Sequence, residues 1–339
     1  MASYVRTPMF LAFCVLFLSV AFASASEDRD AIVTKAKEEK LLVLYSSTDL
    51  RDGTALVHVF QKRYPFVEPR LIRMGSTQLP VRVLQEHRAG VHLFDVIQAV
   101  DFVFYELSRA DLFQPYDSPE RRAFPEDFKD KEGLWTSVYH NASVIAYNTN
   151  LVKPDDVPKS YDDLLHPKWK GKMLLDNNAS WYAGMLQVLG QEKGLSLMRG
   201  LAKQALHFRP GKALADQVLT SGEFGLLVNN FEHFVQSAKK KGAPVDSVAA
   251  YPVLSRVSAI ALARYAPHPN VGRLFIDFVL SEEGQKILTS FGRSSSRKGM
   301  EPDELQKRGV KLYVTDMSLG RDYARYVKEF KEIFGFNAR

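Results

Sequence analysis

Apolar positions recur along the chain in two alternating rhythms. Short apolar runs at residues 41–45 (LLVLY), 67–74 and 94–100 have the form of strands buried on both faces. Between them, Leu56, Val59, Phe60 and Tyr64 fall on one helical face until Pro65, and Leu79, Val83 and Leu84 mark a second helix opened by Gly75-Ser76-Thr77. A third helix runs toward Asp111, and Phe113-Gln114-Pro115 closes the unit. Strands alternating with helices predict a mainly parallel α/β sheet covered on both faces. A second α/β series follows. Its strands are predicted at 144–148, 172–175, 223–228 and 258–265. Its helices are a short one at 161–165, a long region through Met185, Leu189, Met198 and Leu201, and one ending in Lys239-Lys240-Lys241-Gly242. A helical pair follows at 270–291, and the last helix, 321–334, carries Tyr323, Tyr326, Val327, Phe330 and Ile333 on one stripe that should dock on the body.

The first 25 residues stand apart from these rhythms. Arg6 supplies a short positive start, residues 9–20 (MFLAFCVLFLSV) are almost wholly apolar, and Ala23-Ser24-Ala25 offers the small residues a signal peptidase reads. The run is shorter than the roughly 20 residues a membrane helix needs. The reading is a cleaved signal peptide, residues 1–25, with the mature chain starting at Ser26. The chain's single cysteine, Cys14, lies in that run. Cleavage removes it, and with it thiol catalysis, thiolate metal ligation and disulfides. Of the 339 residues 46% are hydrophobic and 25% charged, which excludes a disordered chain. A net charge of +6 permits an anionic partner without requiring one.

The sequence contains no G-x-S-x-G, H-E-x-x-H, Walker or G-x-G-x-x-G motif, and its histidines lack zinc spacing. What it does contain is small polar residues where strands end and helices begin: Ser46-Ser47-Thr48-Asp49, Gly75-Ser76-Thr77, Asp101, Asn177-Asn178-Ala179-Ser180 and Asn229-Asn230. Ligands of open α/β sheets bind beyond the carboxyl ends of the strands, where helix N-termini favour an anion. Plain helix capping selects the same residue types. The Lys239-Lys240-Lys241 run complements a helix C-terminus and has no interleaved aromatics, so no nucleic-acid partner is expected. Residues 293–298 read as a solvated loop.

Four stretches carry a family likeness: 42–47 (LVLYSS), 148–152 (NTNLV) with 158–164 (PKSYDDL), 166–172 (HPKWKGK), and 268–270 (HPN) running into 274–285 (LFIDFVLSEEGQ). Together they resemble the periplasmic solute-binding proteins of ABC transporters, in the branch that includes ferric-iron binders. The resemblance implies a two-lobe type II periplasmic-binding-protein fold with crossing hinge strands, closing like a jaw. Lobe 1 would take 26–135 plus 259–312, lobe 2 would take 136–258, and 313–339 would form a C-terminal helix packed on the lobes. It also implies a monomer that delivers a small solute to a membrane permease, is not an enzyme and holds no cofactor. Where the iron binders place a histidine, this chain has Thr48-Asp49; where they place adjacent tyrosines, it has Phe231-Glu232-His233-Phe234.

Two readings of the cleft follow. In the first, a small polar or phosphorylated anion is held by Ser46, Ser47, Ser76, Thr77, Asp101, Asn178, Ser180, Asn229 and Asn230. Arg209 pairs with its charge, and Trp181 and Tyr182 stack on an apolar part. In the second, Asp49, Asp101, Glu232 and His233 converge on an iron-like metal. Two other classes stay open: a secreted enzyme using His233 or Asp101 as acid or base, and a ligand sensor for a membrane receptor.

Overall fold

The computed structural model describes residues 29–76, 78–300 and 303–335. The expected signal peptide, Cys14 and Thr77 lie outside the described residues. The first part of the chain forms α1 (29–39), β1 (Leu41–Ser46), α2 (Leu50–Arg63), β2 (Glu68–Arg73), α3 (Gln78–Arg88), β3 (Val96–Val100), α4 (Asp101–Ser108) and β4 (Phe113–Gln114). The middle forms β5 (Thr136–Asn148), β6 (Met173–Asp176), α5 (Ala179–Leu189), α6 (Gln191–Ala202), β7 (His207–Arg209), α7 (Lys212–Thr220), β8 (Leu226–Phe231), α8 (Glu232–Lys240) and β9 (Val245–Val248). The last part forms β10 (Val253–Ala263), α9 (Pro269–Leu280), α10 (Glu282–Ser290), α11 (Glu304–Lys307), β11 (Leu312–Val314) and α12 (Tyr323–Phe334).

The strands join in the order β2-β1-β3-β10-β5-β8-β6-β7. β2, β1 and β3 run parallel, as do β8, β6 and β7. The two parallel groups are bridged by β10 and β5, antiparallel to each other and to their outer neighbours β3 and β8. Thus two α/β halves share long crossing strands. Each half is covered on both faces. In the first, Leu42, Leu44, Phe60, Phe275 and Val279 pack on one side, and Tyr45, Ile97, Val103 and Phe104 on the other. In the second, Met173, Trp181, Met185 and Met198 form one core with Tyr326 and Phe330 of α12, while Leu174, Ala215, Leu219 and Val235 form the other. The stripe predicted on the last helix is therefore the face that docks.

Several expectations change. The long helical region is two helices, because Gly190 breaks it at φ +80°. β5 starts at Thr136, well before the expected 144, and the added residues Thr136, Ser137, His140 and Asn141 are buried although polar. β10 likewise starts at Val253. Residues 293–298 are not a solvated loop: the Arg293 side chain is only 10% exposed, and Ser295 and Ser296 are buried. A backbone bridge from His140 to Ser294 (N···O 2.9 Å) pins this segment to β5.

Candidate functional site

The carboxyl ends of the parallel strands of both halves face a common cleft. An open space of about 720 Å³ there is bounded by Ser76, Val100 and Phe102 from the first half. Asn178 at the start of α5, Arg256 of β10 and Tyr323 of α12 complete its wall.

The loop after β1 is a tight polar turn. Ser46 Oγ and Thr48 Oγ1 lie 2.7 Å apart, Ser46 Oγ accepts from the Thr48 N–H at 3.1 Å, and Asp49 caps α2 by accepting from Arg51 N at 2.9 Å. Ser47 Oγ is buried with no hydrogen-bond partner. Asn178 caps α5, accepting from Ser180 N at 2.8 Å and Ser180 Oγ at 2.5 Å. Asn229 is buried; its Oδ1 accepts from Asp176 N at 3.1 Å, and its Nδ2 has no partner. Asn230 donates to Asp216 at 2.7 Å. Asp101 opens α4, and its side chain, like Thr77, is outside the described set.

Three expected contacts point elsewhere. Trp181 is 1% exposed and packs on Tyr161 inside the second half. Tyr182 is buried and donates to Glu329 of α12 at 3.0 Å. Arg209 pairs with Glu223 at 3.2 Å beside the Phe224 ring. Aromatic and cationic residues near helix starts were good candidates by type, but helical phase turns the first two inward, and Glu223 holds the third.

A buried cation that the sequence reading passed over is Lys212. As the first residue of α7 after Gly211, it reaches the carboxyl end of β6. Its Nζ lies 3.3 Å from Asp176 Oδ2, donates to the Asn229 carbonyl and sits 4.7 Å from the Phe231 ring centre. Burial pulls its pKa down to about 8, with Asp176 opposing the shift and the like charge of Arg256 adding to it. Asp176 also accepts from the Gly211 N–H at 3.0 Å. The only signal in the sequence was a lysine after a glycine at a helix start, a place where cations are disfavoured by the helix dipole.

A second cationic centre faces the crossing strands. Arg293 bonds Asp52 at 2.6 Å, lies 3.9 Å from Asp49 and covers the Tyr139 ring at 5.0 Å. Its Nη1 is 3.0 Å from His233 Nε2 on α8. Burial, with the nearby charges of Arg293 and Arg51, pushes the His233 pKa down to about 3, so the imidazole is neutral and accepts from the guanidinium. Burial also raises the Tyr139 phenol. Glu232 turns away, accepting from Gln236 at 2.8 Å and Ser247 at 2.6 Å. Of the metal-ligand set, then, Asp49 and His233 face a guanidinium and Glu232 faces β9. Among the described residues no three His, Cys, Asp or Glu side chains are grouped to hold a metal ion.

A family model described as bacterial extracellular solute-binding protein matches residues 93–324. The iron uptake protein A1 of Synechocystis is 25% identical over 297 residues, 82% of this chain and 81% of its own. Iron-bound HitA from Pseudomonas aeruginosa superposes with a TM-score of 0.75 at 23% identity, covering 86% of this chain and 99% of that one. AfuA from Actinobacillus pleuropneumoniae, with bound fructose-6-phosphate, gives 0.74 at 21% identity over 87% and 98%. The fold is thus the two-lobe type II arrangement.

Proposed function

Because the chain belongs to the bacterial extracellular solute-binding proteins, we propose that it captures a small organic anion in the cleft and hands it to the membrane permease of an ABC importer. Residues 1–25 would direct export and be removed, leaving a periplasmic monomer. Lobe 1 would comprise 26–135 with 259–312, lobe 2 would comprise 136–258, and 313–339 would bind across them.

One observation carries the choice of an anion. Lys212 is buried beside Asp176, and Arg256, which lines the cleft, is close enough to weaken its hold on a proton. Burying like charges together is costly, and an anion that bridges them turns the repulsion into attraction. Ser47 and Asn229 add hydroxyl and amide donors, and the N-terminus of α5 adds its dipole. Closure follows because the solute touches Ser47 of one half and Lys212 of the other, favouring the closed population. The relative AfuA carries a phosphorylated sugar, which is ligand chemistry of the same class.

A second reading, ferric iron, is favoured by the names of Synechocystis iron uptake protein A1 and iron-bound HitA. In this chain Thr48-Asp49 and Phe231-Glu232-His233-Phe234 stand where the resemblance implies the histidine and tyrosine ligands, and His233 faces the Arg293 guanidinium.

Thermal-shift titration of the chain from Ser26 tests both. Sugar phosphates, citrate and dicarboxylates are expected to raise the melting temperature saturably, by a few degrees at about 100 Kd. The response should vanish in Lys212→Met, and the bound compound should be recovered unchanged. Indifference to every anion, with a visible charge-transfer band on adding ferric iron, would replace the first reading by the second. Conversion of the bound compound would favour an enzyme.

A further inference from the structure

Two cavities meet at one pair of side chains. Beside the 720 Å³ cleft lies a chamber of about 410 Å³, roofed by Val327, Phe330 and Lys331 of α12 and floored by the start of α5. Asn178 and Tyr323 line both spaces. The Tyr323 hydroxyl donates to Asn178 Oδ1 at 3.4 Å, and its ring packs 4.8 Å from that of Phe102, across the cleft. Resting on the anion reading above, we infer that Tyr323 is a specificity-determining residue, a partition that sets how long a solute the cleft accepts.

The position of Tyr323 suits a partition. It is the first residue of α12, directly after the 3-10 turn Met317–Asp322. That turn is pressed against the first half, where a Cβ built on Gly320 would lie 2.7 Å from Tyr105. α12 itself is buried in the second half through Tyr326 and Phe330. Tyr323 therefore stands at the junction of two fixed anchors, between the halves. Its bond to Asn178 is long, and the same oxygen already accepts two shorter bonds from Ser180. Rotating the ring exposes an adjoining space with apolar Val327 and Phe330 and the cation Lys331. With the ring in place the cleft takes a compact anion. With it removed, a solute anchored near Lys212 can run an alkyl tail under α12.

The test uses n-alkyl phosphates. Affinities of inorganic, ethyl, butyl and hexyl phosphate are measured by thermal-shift titration for wild type, Y323F, Y323A and Y323L. The readout is the ratio of hexyl to inorganic phosphate affinity. The ratio should rise at least tenfold in Y323A and Y323L, stay at the wild-type value in Y323F, and fall back in the Y323A/V327W double variant, where the chamber is filled. Y323L keeps an apolar side chain against Phe102 and carries the same expectation if Y323A is too unstable. An equal ratio in wild type, Y323A and Y323L overturns the partition, even while K212M abolishes phosphate binding and so upholds the anion reading. No response to any phosphate in any variant overturns both.

Discussion

Lys212 and His233 are both held away from their charged forms, and each gives the molecule a pH response of definite sign. Lys212 titrates near pH 8 in the fold rather than at its ordinary 10.5. Between those values the unfolded chain binds more protons, so the stability of the ligand-free protein should rise with pH across that window. Anion affinity should move the other way, falling by about tenfold or more above pH 8, as a charge-assisted bond is lost. Calorimetry at pH 6.5 and 9.5 checks this, and equal affinities would remove Lys212 from the site. His233 near 3 and His140 near 4 stay neutral in the fold while the unfolded chain protonates below about 6.5. Stability should therefore fall as pH drops from 6.5 toward 3. H233Q, which keeps an acceptor for Arg293 but cannot charge, should flatten that fall in urea-denaturation midpoints; an unchanged slope would refute the assignment. At this scale the sequence was half legible. Ser47, Asn178 and Asn229 could be read by type as polar residues at strand ends, whereas the burial of Lys212 and Arg293 beside Asp176 and Asp52 comes from folding that spacing alone does not encode.

Among the elements, those built on apolar rhythm were readable, and those built on tertiary support were not. The β1 run Leu42–Tyr45 is buried as its composition demands. α1, β7 and β9 carry too few apolar positions to announce themselves, and the first half of β5 was hidden because its buried polar residues lie along the crossing strands. α1 has a further use. Its Glu39 accepts from the N–H groups of Asn270 and Val271, both at 2.9 Å, and so caps α9 from 231 residues away. Replacing Glu39 by Ala should cost about 1–2 kcal/mol, the usual worth of an N-cap plus its charge on the dipole. A urea midpoint within error of wild type would show that the cap contributes nothing. The α9–α10 corner is stricter. A Cβ on Gly284 would lie 2.2 Å from the Phe278 carbonyl, so backbone must move. Gly284→Ala should destabilise by roughly 1–3 kcal/mol or more, as overpacking does.

For the whole molecule, the contact that matters is one that joins the two halves. β5 and β10 run through both halves, so they bend but do not separate as the halves part. Arg293 belongs with the first half through Asp52, and His233 with the second through α8. Their 3.0 Å bond therefore links an element of each half, and it is expected to weaken as the halves part. A hydrogen bond with one charged partner is worth about 1.5–3 kcal/mol. Solvation of the freed guanidinium on opening takes back part of this, and about 1 kcal/mol, a fivefold population shift, is a reasonable net. H233A removes the bond while leaving the Arg293–Asp52 pair intact, so it should open the ligand-free protein without unfolding it. Small-angle scattering should then report a larger radius of gyration for ligand-free H233A than for wild type, with the two converging at saturating anion. Apparent affinity should drop by up to that factor of about five, because the competent closed form is scarcer. If H233A scatters like wild type and binds as tightly, the bond spans the lobes without governing them, and closure rests on the solute alone.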